Sequence, residues 1–162
     1  MPLREVTIDE RTWTEASDAR QREWTQAIRE LTTPGEAVLR EDGERLAITQ
    51  TQQAVELSLL DGGGALLAEV SIPHDALADL VREYVDTVRA IARADAMGGL
   101  KRLEALDMAK RVTHDDAGRF LERRCRPFAI DHPTGRRLFT LLLALKVDTT
   151  RLVGVHGHRR IR

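Results

Sequence analysis

The sequence predicts an α+β fold: a small antiparallel β-meander of about four to five strands, packed with about five helices, the last of which is central and buried. Three observations predict it. Residues 36–72 divide into short strand-like segments joined by turn residues. After Pro73 the apolar period changes from two to three and four. The final segment, "PTGRRLFTLLLALKV", is apolar nearly all round after Arg137, as a helix at the centre of a domain must be. Strands followed by helices, rather than alternating with them, point to one sheet covered by helices.

In "LREVTID" (3–9), Leu3, Val6 and Ile8 alternate loosely with polar neighbours, which reads as a short strand. Ser17 or Asp18 caps a helix running to about Thr32, with Trp24, Ile28 and Leu31 on one face, and Pro34-Gly35 ends it. Four strand-like segments follow: "EAVLR" (36–40), "RLAITQT" (45–51), "AVELSLL" (54–60) and "ALLAEVSI" (65–72). Asp42-Gly43 joins the first pair and "DGGG" (61–64) the last, both with the chemistry of hairpin turns. In the third, Val55, Leu57 and Leu59 alternate with Glu56 and Ser58, so the meander has one wet face.

Leu77, Leu80, Val81, Tyr84, Val85, Val88 and Ile91 recur at threes and fours, predicting an amphipathic helix over 74–95 that Gly98-Gly99 terminates. Two further helices are expected over about 100–113 and 115–125, with Pro127 as punctuation before "FAID". Asp131 or His132 caps the last helix, 133–147, which has Pro133 in its first turn. Residues 1–147 are thus expected to form a single α+β domain, and 148–162 a basic, partly mobile tail.

The 162 residues are 42% hydrophobic and 31% charged, the balance of a globular chain, while 4% aromatic content leaves the core to Leu, Val, Ile and Ala. Cys125 is the single cysteine, so no internal disulfide can form and a reducing compartment suits the chain. With no signal peptide at "MPLREVTIDE" and no apolar run of membrane-spanning length, the expectation is a cytoplasmic protein without a membrane partner. Charge is uneven: residues 1–100 hold 10 Lys/Arg against 19 Asp/Glu, and residues 101–162 hold 15 against 7. Either the halves attract each other within the fold, or the second half presents a basic surface to an anionic partner.

"RLEALDMAKR" (102–111), His114, Asp131 and "GRRLFTLL" (135–142), with "EVTID", "DARQREWTQAIREL", "RLAITQT", "AVELSLL" and "VREYV" in that order, resemble the signature segments of the bacterial Uncharacterised Protein Family 0262 over about residues 3–147. The resemblance implies no activity, since that family has no assigned function. The chain departs from the pattern at His132-Pro133 and Gly135, at "THDDAG" where a "LHNEG"-like run is usual, and in a longer tail.

The chemistry-bearing residues concentrate in "RLEALDMAKRVTHDD" (102–116). At about 100° per residue, Glu104, Asp107, Arg111, His114 and Asp115 share one stripe of a helix. Taken alone that is a solvated face with i, i+4 pairs worth about 0.3–0.5 kcal/mol each. The last helix adds a constraint, because Arg136 and Arg137 in its first turn have the wrong sign for the positive end of a helix dipole. They need a counter-ion: Glu104 or Asp107 with help from Asp131, or a bound anion.

Three functions follow. The first is a non-enzymatic binding or regulatory module that recognises an anionic small molecule or protein partner through Arg111, His114, Arg136 and Arg137, with Glu104, Asp107 and Asp131 positioning the arginines. The second is a hydrolytic or phosphoryl-handling enzyme with His114 as general acid/base. The third is a purely structural ion-pair network, with function on another surface.

No cofactor or metal is assigned: Walker, GxGxxG, HExxH and CxxC motifs are missing, and His156 and His158 supply two ligands among Arg159, Arg160 and Arg162. Cys125 lies among Arg123, Arg124 and Arg126 and reads as packing rather than as an activated thiol. Nucleic acid is disfavoured because Phe120, Phe128 and Phe139 look like core positions; a homo-oligomer is compatible with the sequence.

Overall fold

A computed structural model describes residues 3–148. The elements run β1 (Glu5–Ile8), α1 (Glu10–Glu15), α2 (Asp18–Thr32), β2 (Arg45–Gln50), β3 (Ala54–Leu60), β4 (Leu66–Pro73), α3 (His74–Met97), α4 (Leu100–Arg124), a single 3-10 turn (Arg126–Phe128) and α5 (His132–Lys146). The tail with His156, His158 and the basic cluster lies outside the described residues. No helix among the described residues is long and apolar enough to cross a membrane.

The four strands lie in the order β1-β2-β3-β4. β2, β3 and β4 form the expected antiparallel meander, in the register Ile48↔Leu57 and Leu57↔Val70. β1 departs from it by pairing parallel to β2, with Val6 opposite Leu46. The reason is the connection: α1 and α2 carry the chain back across the sheet, so β2 starts where β1 started. One face buries Val6, Leu46, Ile48, Val55, Leu57, Leu59, Val70 and Ile72. Each of these side chains contributes about 1.5–3 kcal/mol when removed fully from water.

Two further expectations need correction, and one helix is additional. "EAVLR" (36–40) is not a strand, because its backbone donors are taken elsewhere: Val38 N–H donates to Thr134 Oγ1 at 2.8 Å and Arg40 N–H to the Phe128 carbonyl at 3.0 Å. The helices expected at 100–113 and 115–125 are one helix, α4. Thr113 does not act as a cap there, since its hydroxyl donates to the Ala109 carbonyl at 2.9 Å and leaves the helical ladder unbroken. The short helix α1 was not foreseen; Asp9 caps it by accepting from Thr12 N–H at 3.1 Å, and accepts Gln50 N–H at 3.0 Å as well. Burial alone would raise the Asp9 carboxyl, but the hydrogen bonds from Gln50 and Thr12 hold it below the usual range.

α5 is the central helix, with α2 packed on one side and α4 on the other. Asp131 caps it, accepting Thr134 N–H at 3.0 Å. Leu138, Phe139, Leu141, Leu142 and Leu143 are buried, as the continuous apolar run requires. Trp24 Nε1–H donates to the Ala144 carbonyl at 2.9 Å, and Arg20 Nη2 donates to the Ala144 and Leu145 carbonyls at 3.1 Å. With Glu36, just past α2, meeting Arg137 near the start of α5, these bonds make α2 antiparallel to α5. α3 and α4 form a helical hairpin turned at Gly98, whose φ of 73° only glycine adopts readily. Met97, Leu100, Met108 and Val112 are exposed along it.

Candidate functional site

α4 and α5 meet backbone to backbone. A Cβ on Gly135 would lie 2.6 Å from the Gly118 carbonyl oxygen, and one on Gly118 would lie 2.6 Å from Arg136 Cγ. Two glycines facing each other allow this approach, and it sets which side chains flank the crossing. His114 and Asp115, about one turn before Gly118, are brought onto the first turns of α5.

Asp115 Oδ1 stands 3.2 Å from Arg136 Nε and 3.5 Å from His132 Nε2. The Arg136 contact is an ion pair with poor hydrogen-bond alignment, since Nε is buried and has no directed acceptor. His114 Nε2–H donates to the Arg136 carbonyl at 3.0 Å, and the Thr140 hydroxyl donates to the same oxygen at 3.2 Å. A carbonyl only accepts, so the imidazole proton sits on Nε2, leaving the Nδ1 lone pair facing Arg136 Nη2 at 3.4 Å. Burial lowers the His114 pKa, the bond to the Arg136 carbonyl opposes that, and the Arg136 charge lowers it further. The ring is thus held neutral near pH 7. It packs against Tyr84 and Phe139, with ring centroids 5.9 and 5.7 Å away.

Beside this junction lies a cleft of about 420 Å³. Pro133, Arg136, Arg137 and Thr140 of α5 line it from below, Lys110 and His114 from α4, Tyr84 from α3, and Glu23, Gln26 and Glu30 from α2. Arg137 leans out of it toward the irregular stretch after α2, where Nη2 meets Glu36 Oε2 at 2.7 Å and Nη1 donates to the Glu36 carbonyl at 2.6 Å.

Of the residues singled out from sequence, His114, Arg136 and Arg137 line the cleft, and Asp131 supports it as the α5 cap. Glu104 and Arg111 are exposed on α4 and outside the lining, and Asp107 is half-buried between them. The counter-ions of the two arginines are Asp115 and Glu36. Asp115 was legible as a member of the α4 stripe. Glu36 gave no signal, since it sits 101 residues from its partner in a stretch that read as a strand. Tyr84, Thr140 and Glu30 were likewise missed, because nothing local distinguishes them from ordinary helix positions.

Cys125 is fully buried, and burial pushes its thiol up to about 12 despite the nearby Arg124 charge. Among the described residues no three His, Cys, Asp or Glu side chains are grouped to hold a metal ion. A second groove of about 420 Å³ runs along α3 over Leu77, Val81, Val85 and Val147. At its end Lys146 Nζ hydrogen-bonds His74 Nδ1, and His74 Nε2 donates to the Thr51 carbonyl at 2.7 Å.

A family model described as an uncharacterised protein family, UPF0262, matches residues 2–148. Among similar proteins, a UPF0262 protein of Novosphingobium aromaticivorans is 33% identical over 66% of this chain and 62% of its own length. One from Rhodospirillum rubrum is 28% identical over 62% of this chain and 63% of its own. These matches therefore span less than two thirds of either relative. A third, from Ruegeria sp., is 24% identical over 88% of this chain and 96% of its own. No solved structure matches the chain.

Proposed function

We propose, from the premise that the chain belongs to the uncharacterised protein family UPF0262, that it is a non-enzymatic binding module of the cytoplasm, whose cleft between α2, α4 and α5 takes the anionic group of a small molecule. The observation that carries this is the convergence of Lys110 and Arg136 with the His114 ring on one concavity of about 420 Å³, a size that suits a metabolite, with Arg137 at its edge turned to Glu36. Arg136 is the anchor. Its Nε leans on Asp115 and its Nη2 on His114, which orients the guanidinium beside the cleft before any ligand arrives.

Two features favour binding over catalysis. A general base needs a lone pair free toward the substrate, whereas both His114 nitrogens are engaged with α5. The one thiol is buried and protonated. The test is a thermal-shift titration with inorganic phosphate and with citrate, against chloride at matched ionic strength. Wild type and Arg111→Ala, whose side chain lies outside the cleft, rise in melting temperature together, and Arg136→Ala does not. An Arg136→Ala response equal to wild type, or no response in any of them, refutes the proposal.

A further inference from the structure

We infer that the ligand of this cleft is a zwitterion, carrying an ammonium group as well as the anionic one; this rests on the binding function proposed above. The walls of the cleft are opposite in sign. Glu23, Gln26 and Glu30 follow one another at three and four residues, so they share one face of α2, and all three line the cleft. The bonds from Trp24 and Arg20 to Ala144 place Glu23 beside the C-terminal half of α5. Glu30, two turns further along the antiparallel α2, then lies toward the end that holds Arg136 and Arg137.

Charge balance decides the class of ligand. The lining contains three cations, Lys110, Arg136 and Arg137, and two carboxylates, Glu23 and Glu30. Asp115 and Glu36 neutralise the two arginines from behind. Three positive groups thus face four negative ones, so a bare anion binds at Arg136 but is weakened by the carboxylate wall opposite its anchor. Glu30 sharpens the point. It is half-buried, and its carboxylate forms no ion pair or hydrogen bond among the described residues. A carboxylate on the cleft wall without a partner is open to an ammonium arriving with the ligand, with which it forms a charge-assisted hydrogen bond. The ligand's anion meets Arg136 on α5 and its ammonium meets Glu30 on the facing wall of α2.

Isothermal titration of the full chain tests this with two matched pairs, γ-aminobutyrate against butyrate and phosphoethanolamine against ethyl phosphate, and with butylamine as the cation alone. One zwitterion is expected to bind at least ten-fold more tightly than its ammonium-free counterpart. Glu30→Gln abolishes that ratio while the ammonium-free acid binds as before, and Arg136→Gln weakens both members of the pair. Equal binding within both pairs overturns the zwitterion inference and leaves the anion site standing. Binding of butylamine alone, or of none of the five compounds, overturns both. Circular dichroism melts of both variants establish that they are folded, so that a lost ratio reports on the ligand.

Discussion

Replacing Gly135 by alanine adds one methyl group where α4 and α5 touch. The new Cβ would lie 2.6 Å from the Gly118 carbonyl oxygen, against about 3.5 Å for unstrained contact, so the helices must part locally by about 0.9 Å. Backbone cannot rotate out of the way as a side chain can, and overpacking of this kind costs about 1–3 kcal/mol. Alanine's better helix propensity returns about 1 kcal/mol. A clash between backbone atoms takes the upper part of that range, about 2–3 kcal/mol, so the net loss is about 1–2 kcal/mol, or about 2–8 °C in melting temperature for a chain of this size.

A thermal melt followed by circular dichroism reads the change, with Gly99→Ala as control, because a Cβ there meets nothing closer than Arg102 Cβ at 3.6 Å. Gly118→Ala supplies a contrast: its Cβ strikes mainly Arg136 Cγ, a side-chain atom that can swing away, with Arg136 N at 3.3 Å. It loses less stability than Gly135→Ala but more anion response. A Gly135→Ala protein that melts at or above wild type refutes the close-crossing account of the site.

Two predictions concern titration. Because the folded protein depresses the His114 pKa, the unfolded chain binds the proton more readily; stability from this group is therefore complete above about 6.5 and is lost as pH falls below it. Melts across that range should show a decline that flattens in His114→Gln, and an equal slope in the variant argues against His114 as its source. Cys125, with its thiol at about 12 and no exposed surface, should resist iodoacetamide at pH 8 and be alkylated promptly in guanidinium, as mass spectrometry would show; rapid labelling of the native protein contradicts the packing role.

What was legible in the sequence was mostly what periodicity and turn chemistry determine locally. Val55, Leu57 and Leu59 announce a strand with one buried face whatever surrounds them, and "LFTLLLAL" announces a buried helix. The failures came where a distant group decided the outcome. Residues 36–40 have strand-like composition, but Thr134 and Phe128 hold the donors that a ladder would use. β1 could not be assigned a direction, because its pairing depends on where α1 and α2 return the chain.

The candidate site was legible by the same measure, as a need rather than as a geometry. Two arginines in the first turn of α5 require carboxylates, a conclusion that follows from the helix dipole alone. Which carboxylates answer depends on where α4 crosses α5, and that is fixed by Gly118 against Gly135. The crossing places Asp115, not Glu104 or Asp107, beside Arg136: Glu104 lies fourteen residues, nearly four turns, before Gly118, and His114 already reaches Thr140, so that stretch of α4 runs toward the other end of α5. Glycine is the residue that leaves no hydrophobic or charge signal, so pattern reading passes over the positions that set the site. It follows that the stripe on α4 has two ends with different work. The His114–Asp115 end orients Arg136, and substitutions there should change both stability and ligand response, whereas Glu104→Ala should leave both within about 0.5 kcal/mol of wild type.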